Sequence, residues 1–170
     1  MELKTNLGNV LVIYYSLDGH TRTIAENIAE KTRATIHEIG LTDSYTVPSV
    51  YWKSKKQLKS GNYPTISNLP NVNDYDVVFV GAPVWWFTLN PVLFSLLKEV
   101  DFKNKHVVLF STQQSNKGNF YDKFKENVKN ARVVDYMDFD NVNKSFDRQV
   151  NNKITTWLNA VDDLISLENK

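Results

Sequence analysis

The residues best placed to do chemistry are Ser16, Asp18, Gly19, His20 and Thr21, a short turn with Leu17 between the apolar run Val10–Tyr15 and residues at helical spacing. A strand, a turn and a helix start make an anion pocket. The first backbone N–H groups of a helix have no partner within it, and the aligned peptide dipoles favour negative charge, so a phosphate docks there. Ser16 and Thr21 add hydroxyls. The turn carries no Lys or Arg, unlike the Gly-Lys-Ser/Thr ending of a nucleotide triphosphatase loop, and lacks the G-x-G-x-x-G of a dinucleotide fold. A phosphate here is held mainly by backbone and hydroxyl donors. The plainer alternative is a strand-to-helix loop with Asp18 as helix cap, because Ser, Asp and Thr favour caps whatever the function. Asp18 also brings a carboxylate close to a bound dianion unless its side chain turns outward, whereas a protonated His20 favours the anion.

A second block, DVVFVGAPVWWFTLNPV over Asp76–Val92, ends an apolar run in Pro83-Val84-Trp85-Trp86-Phe87. Flat, electron-rich rings give stacking area at small entropy cost, although core packing accounts for tryptophans equally well. A third polar segment, from Thr112, Gln113 and Gln114 to Gly118, offers amide donors and acceptors together. His37 and His106 have no second His or carboxylate at metal-ligand spacing, so both read as structural and no metal is expected. No Ser–His–Asp set is assignable, and no catalytic residue is named.

These segments need elements to position them. Apolar runs recur at Val10–Tyr15, Thr35–Ile39, Val77–Gly81, His106–Ser111 and Arg132–Tyr136, with helical patterns between most of them. The helical stripes are Ile24, Ala25, Ile28 and Ala29; then Val92, Leu93, Leu96, Leu97 and Val100; then Phe120, Phe124 and Val128. The last runs from Phe146 and Val150 through Ile154, Trp157, Leu158 and Val161 to Leu164 and Ile165. Alternation of this kind predicts a doubly wound, five-stranded parallel sheet of order 2-1-3-4-5 with helices on both faces, and a ligand at the switch between strands one and three. Leu41–Asp74 is the irregular part, with a short helix expected around Val50–Ser60. Lys53, Lys55, Lys56 and Lys59 there read as a solvated helix face.

At 170 residues and 42% hydrophobic, residues 1–170 are expected to form one domain with a sizeable core. The absence of cysteine excludes disulfides, thiolate catalysis and iron–sulfur clusters, so redox chemistry requires a bound cofactor. A formal charge of +1 argues against indiscriminate nucleic-acid binding. No apolar stretch spans a bilayer and MELKTNLGN lacks a signal-peptide core, so a cytoplasmic protein without a membrane partner is expected.

The two motifs together resemble the flavodoxin family. Its first-strand signature, Ser/Thr-x-Thr-Gly-x-Thr, reads Ser16-Leu17-Asp18-Gly19-His20-Thr21 here, and Gly81-x-Pro83-x-Trp85-Trp86 followed by Pro91-Val92 resembles its aromatic loop. The resemblance implies a flavodoxin-like fold binding FMN non-covalently. It places the phosphate at Ser16–Thr21, Trp85 or Trp86 at the flavin edge, and Gln113 and Gln114 near the pyrimidine edge. FMN is preferred to FAD because no second Gly-rich turn is present for a pyrophosphate. Phe87 departs from the family's usual Gly. In flavodoxins a Gly-containing peptide there flips on reduction and stabilises the neutral semiquinone, and a bulky residue at positive φ costs roughly 1–2 kcal/mol. Phe87, the near-neutral charge and the aromatic Leu41–Asp74 segment therefore favour a two-electron oxidoreductase with a nicotinamide donor and a quinone-like acceptor. An electron carrier serving a redox partner protein is the alternative, Asp18 keeps a flavin-free binding module open, and the oligomeric state is undetermined.

Overall fold

The computed structural model describes residues 6–142 and 148–170. Its elements alternate as β1 (Val10–Tyr14), α1 (His20–Thr32), β2 (Thr35–Glu38), α2 (Ser49–Ser60), β3 (Val77–Pro83), α3 (Pro91–Glu99), β4 (His106–Gln113), α4 (Phe120–Asn127), β5 (Arg132–Asp140) and α5 (Arg148–Glu168). The strands pair in parallel in the expected order, β2-β1-β3-β4-β5.

Because neighbouring side chains of a strand point to opposite faces, each central strand feeds two cores, and its sequence reads as a continuous apolar run. Val12, Phe79, Val108 and Phe110 meet Ile24 and Ile28 of α1 and Ile154, Trp157 and Leu158 of α5. Leu11, Ile13, Val78, Val80 and Leu109 meet Leu93 and Leu96 of α3 and Phe120 and Phe124 of α4. Full burial of each such side chain is worth about 1.5–3 kcal/mol, which fixes the helices on the sheet.

β1 and β2 each end one residue short of expectation, at Tyr14 and Glu38, and three strands run two or more residues past it. β3, β4 and β5 run on to Pro83, Gln113 and Asp140, because each lengthens along its neighbour: Pro83 pairs with Thr112 and Gln113 with Asp140. In β5 the alternation of Asp135, Asp138 and Asp140 with apolar residues conceals this extension. Leu164 is exposed at the margin of the α5 stripe, and Phe146 lies outside the described residues. α2 begins at Ser49, one residue from the expected helix, and Lys55, Lys56 and Lys59 lie on its solvated face.

His37 bonds the Asn68 carbonyl at 2.7 Å. His106, which no neighbouring carboxylate accompanies in sequence, meets Glu168 at 3.0 Å, because α5 returns to the amino-terminal edge of the sheet. Arg132 holds the Glu168 carboxyl below the usual carboxylate range, with His106 adding to the effect. No group of His, Asp and Glu among the described residues could hold a metal ion, and no helix among them is long and apolar enough to cross a membrane.

Candidate functional site

The carboxyl ends of β1, β3 and β4 bring the three sequence segments together around the switch between β1 and β3. Two cavities meet there. One, of about 210 Å³, lies against Asp18, His20, Pro83, Thr112 and Val142. The other, of about 440 Å³, lies against Leu17, Val50, Ser54, Trp86, Phe87 and Asn116. Asp18, Val84, Trp85, Gln113 and Gln114 line both, so the two form one cleft with a polar and an apolar end.

At the polar end, Gly19 is the N-cap of α1, in the left-handed region at φ 96°. Asp18 is therefore one position before the cap. Its carboxylate accepts from the His20 N–H at 3.1 Å and lies 3.0 Å from the His20 ring, so it turns onto the helix start and toward solvent. Ser16 folds back to accept from the Gly19 N–H at 3.1 Å. Among the described residues, nothing accepts from the backbone N–H groups of Leu17, Asp18, Thr21 or Arg22. These are the free donors expected of a helix N-terminus. Arg22 is directed away, pairing with Glu38 and donating to the Tyr14 hydroxyl. Thr21 is buried and its hydroxyl is 2.7 Å from that of Thr112, which reaches the cavity. One of this pair donates to the other, which leaves a single O–H for a third acceptor.

The apolar end is built on Trp85 and Trp86, which the fold uses differently. Trp85 is half-buried, edge-to-face with Tyr15 at 5.8 Å and with Tyr45 at 5.1 Å. Burial pushes both tyrosine hydroxyls above the ordinary range, so they are neutral spacers behind the cleft. Trp86 is exposed, donates its indole N–H to Ser54 of α2 at 2.9 Å, and lies under the Lys55 ammonium. The base of the loop is braced by Asn90, which donates to the Pro83 carbonyl at 3.0 Å and caps α3 by accepting from Val92. Asn90-Pro91 carried that signal in sequence as a cap followed by Pro at the first helical position.

Trp86 and Phe87 stand at φ 56° and 57°, and the Thr88 N–H donates to the Trp85 carbonyl at 3.3 Å. This is the pattern of a type I′ turn, with both central residues left-handed. Phe87 thus occupies the backbone region that its bulk disfavours. Tertiary contacts hold it there: the Asn119 N–H donates to the Phe87 carbonyl at 3.0 Å, and Gly118 packs directly on that carbonyl.

The third segment carries a feature that sequence reasoning missed. Gln113 donates from Nε2 to Asp138 at 2.8 Å, and Ser111 donates to the other oxygen of Asp138 at 2.6 Å. The Gln113 Oε1 is buried and has no partner among the described residues. Asp138 enters only through the β4–β5 register, in which it pairs with Ser111. The same-face spacing of Ser111 and Gln113 was the one available hint. Gln114 is exposed on the cleft rim, and Gly118 lies outside the cleft lining.

The sequence model of the flavodoxin family matches residues 9–161. Among solved structures, a protein of Bacteroides eggerthii assigned as a flavoprotein is 24% identical with a TM-score of 0.74, over 90% of this chain and 97% of that one. A flavoprotein of Lactobacillus acidophilus in complex with FMN is 21% identical with a TM-score of 0.68, over 77% and 93%. Oxidised flavodoxin 2 of Bacillus cereus is 15% identical with a TM-score of 0.54, over 92% and 99%. At these identities the likeness is one of fold. No curated protein matches the sequence. The match of the family's sequence model to most of the chain, joined to strand order 2-1-3-4-5 and a cleft at its switch point, places the protein in the flavodoxin family.

Proposed function

We propose that this protein binds FMN non-covalently and acts as a two-electron oxidoreductase that takes electrons from a nicotinamide and passes them to a quinone-like or other small acceptor. The observation carrying the cofactor reading is the chemistry of the cleft: helix-start N–H groups that find no acceptor among the described residues at one end, and indoles at the other. The donor set fits the group. Leu17, Asp18, Thr21 and Arg22 would offer N–H groups to the phosphate, with the Thr21–Thr112 pair supplying a hydroxyl. Val84, Trp85 and Trp86 would hold the ring, and Gln113 and Gln114 its polar edge. The Lactobacillus acidophilus flavoprotein of the same fold, solved with FMN, supports this assignment. When bound, FMN supplies the electron-accepting and electron-donating chemistry that the side chains of this cysteine-free chain do not supply by themselves.

Purified protein mixed with FMN should quench the flavin's fluorescence and unfold at a higher temperature. Thr21→Val should weaken FMN by about tenfold or more and riboflavin little, because a hydrogen bond to a charged group contributes about 1.5–3 kcal/mol. Equal losses for both would move the phosphate elsewhere. No binding at tens of micromolar FMN would overturn the cofactor reading.

The two-electron reading rests on the Trp86–Phe87 turn. Rotating its central peptide converts type I′ to type II′, which requires glycine at the first central position, where this chain has Trp86. The following peptide is pinned through the Phe87 carbonyl by Asn119 and Gly118. Neither peptide is free to offer a new partner between two one-electron steps. A potentiometric titration of the FMN complex should therefore show a single two-electron wave, and NADH or NADPH should reduce it directly. Trp86→Gly should split the wave, whereas Phe87→Gly should relieve left-handed strain of about 1–2 kcal/mol with less effect on the wave. Two resolved waves in the unmodified protein, with no reduction by either nicotinamide, would favour an electron carrier. The lysine face of α2 beside Trp86 is the feature suited to that second role.

A further inference from the structure

Four residues of α2, Trp52, Lys55, Lys56 and Lys59, are spaced i, i+3, i+4 and i+7 and so share one face of the helix. They line an open recess of about 470 Å³ beside the cleft already described. An ordinary solvated helix face mixes charges of both signs. This one does not. No Asp or Glu occurs from Ser44 to Asn73, and among the described residues none of these three lysines pairs with a carboxylate. Lys53, on the flank of the face, is the α2 lysine that does, with Asp43 at 3.4 Å. Like charges at such spacings repel and oppose the helix that carries them. Trp52 leaves 60% of its surface exposed, and among the described residues no hydrogen bond or ring contact occupies it. The recess starts where the cleft ends. Tyr51 of the cleft lining is one helical turn from Lys55, whose ammonium lies 4.9 Å above the indole of Trp86 at the cleft.

We infer that this face is a second binding site, for the phosphorylated adenosine end of a nicotinamide dinucleotide, and that it selects NADPH over NADH. An exposed indole offers a flat surface on which a base stacks, and ammoniums at the same recess supply charge and donors to a phosphate. The 2′-phosphate of NADPH is close to a dianion at neutral pH, and NADH lacks it. Three ammoniums without carboxylate partners therefore distinguish the two dinucleotides by charge and by hydrogen bonding. Trp52 and Lys56 each stand two residues from Ser54, which holds the Trp86 indole, so the two binding surfaces lie about one helix width apart, roughly 10–12 Å. An extended dinucleotide bridges that width, with its nicotinamide in the cleft and its adenosine on Trp52. The inference rests on the reading of a nicotinamide as electron donor and names which nicotinamide it is.

The first probe is adenosine 2′,5′-bisphosphate, which carries the discriminating phosphate and no nicotinamide, compared with 5′-AMP by calorimetry on the purified protein at low salt. The bisphosphate should bind about tenfold more tightly, and its advantage should shrink as salt is raised. Lys56→Gln with Lys59→Gln should reduce that advantage to about twofold or less. Lys125→Gln with Lys129→Gln, which removes the same charge on and just beyond α4, should leave it intact. Trp52→Ala, a change at an exposed position, should weaken both nucleotides alike, by about fivefold or more. The FMN complex should show a similar preference for NADPH over NADH in kcat/KM, lost in the Lys56 and Lys59 double variant. Absence of the bisphosphate advantage, or its equal loss in both double variants, overturns the inference and returns the lysine face to a partner protein. Reduction by both nicotinamides without preference overturns the inference alone. If the protein binds no FMN, or neither nicotinamide reduces the complex, the donor reading falls and this assignment with it.

Discussion

Gly118→Ala should destabilise the protein by about 2–5 kcal/mol, from left-handed backbone strain together with overpacking, and should loosen the loops beside the cleft. Gly118 sits at φ +54°, and a Cβ there would fall 1.9 Å from the Phe87 carbonyl oxygen and 2.5 Å from its carbon. Backbone atoms cannot rotate aside as a flexible side chain would. The contact also pins the turn, because the neighbouring Asn119 N–H donates to the same carbonyl. Parting the loops would release Phe87 and widen the cleft between the second and third segments. Gly61→Ala is the matched control, since Gly61 has φ +75° and open space around it. It should lose only the conformational share, about 1–2 kcal/mol. Urea unfolding of both variants, with FMN affinity measured alongside, checks this. Equal losses at the two positions would mean that the Gly118–Phe87 contact yields easily and does not hold the turn.

Where strand and helix periods are set by local apolar content, the fold was legible: Val10–Tyr15 and Val77–Gly81 read as buried strands, and α1, α3, α4 and α5 each left a stripe at helical spacing. The strand, turn and helix around Ser16–Thr21 were legible too, because the three parts are contiguous in sequence. What sequence concealed is what depends on pairing. Asp138 meets Gln113 only because β5 continues beyond Tyr136 beside β4, and Ser54 joins the cleft lining only because α2 passes over the Trp86 indole. Phe87 is the most instructive departure. Its intrinsic preference opposes a positive φ, and that preference is overridden by Gly118 and Asn119, far along the chain. Propensity describes the cost correctly and leaves unseen the contacts that offset it.

Trp85→Ala should be the other large effect, with stability falling by about 3 kcal/mol, the low end for a tryptophan truncated in a core, because part of the ring faces the cleft. Its indole stands perpendicular to both Tyr15 and Tyr45, at 87° and 90°, so its removal leaves two aromatic edges without a partner. Tyr45 in turn bonds Gln57 of α2, so the loss extends to the connection that walls the apolar end. FMN and riboflavin should weaken alike, since the ring end changes and the phosphate end does not. Trp86→Ala should differ. Exposed, and tied by one hydrogen bond to Ser54 and one ammonium contact from Lys55, it should lose only about 1 kcal/mol of stability. Its effect should appear instead as weaker flavin binding and less fluorescence quenching. If Trp86→Ala unfolds the protein while flavin affinity survives in Trp85→Ala, the roles are reversed: Trp86 is then the strut that fixes α2, and Trp85 merely core.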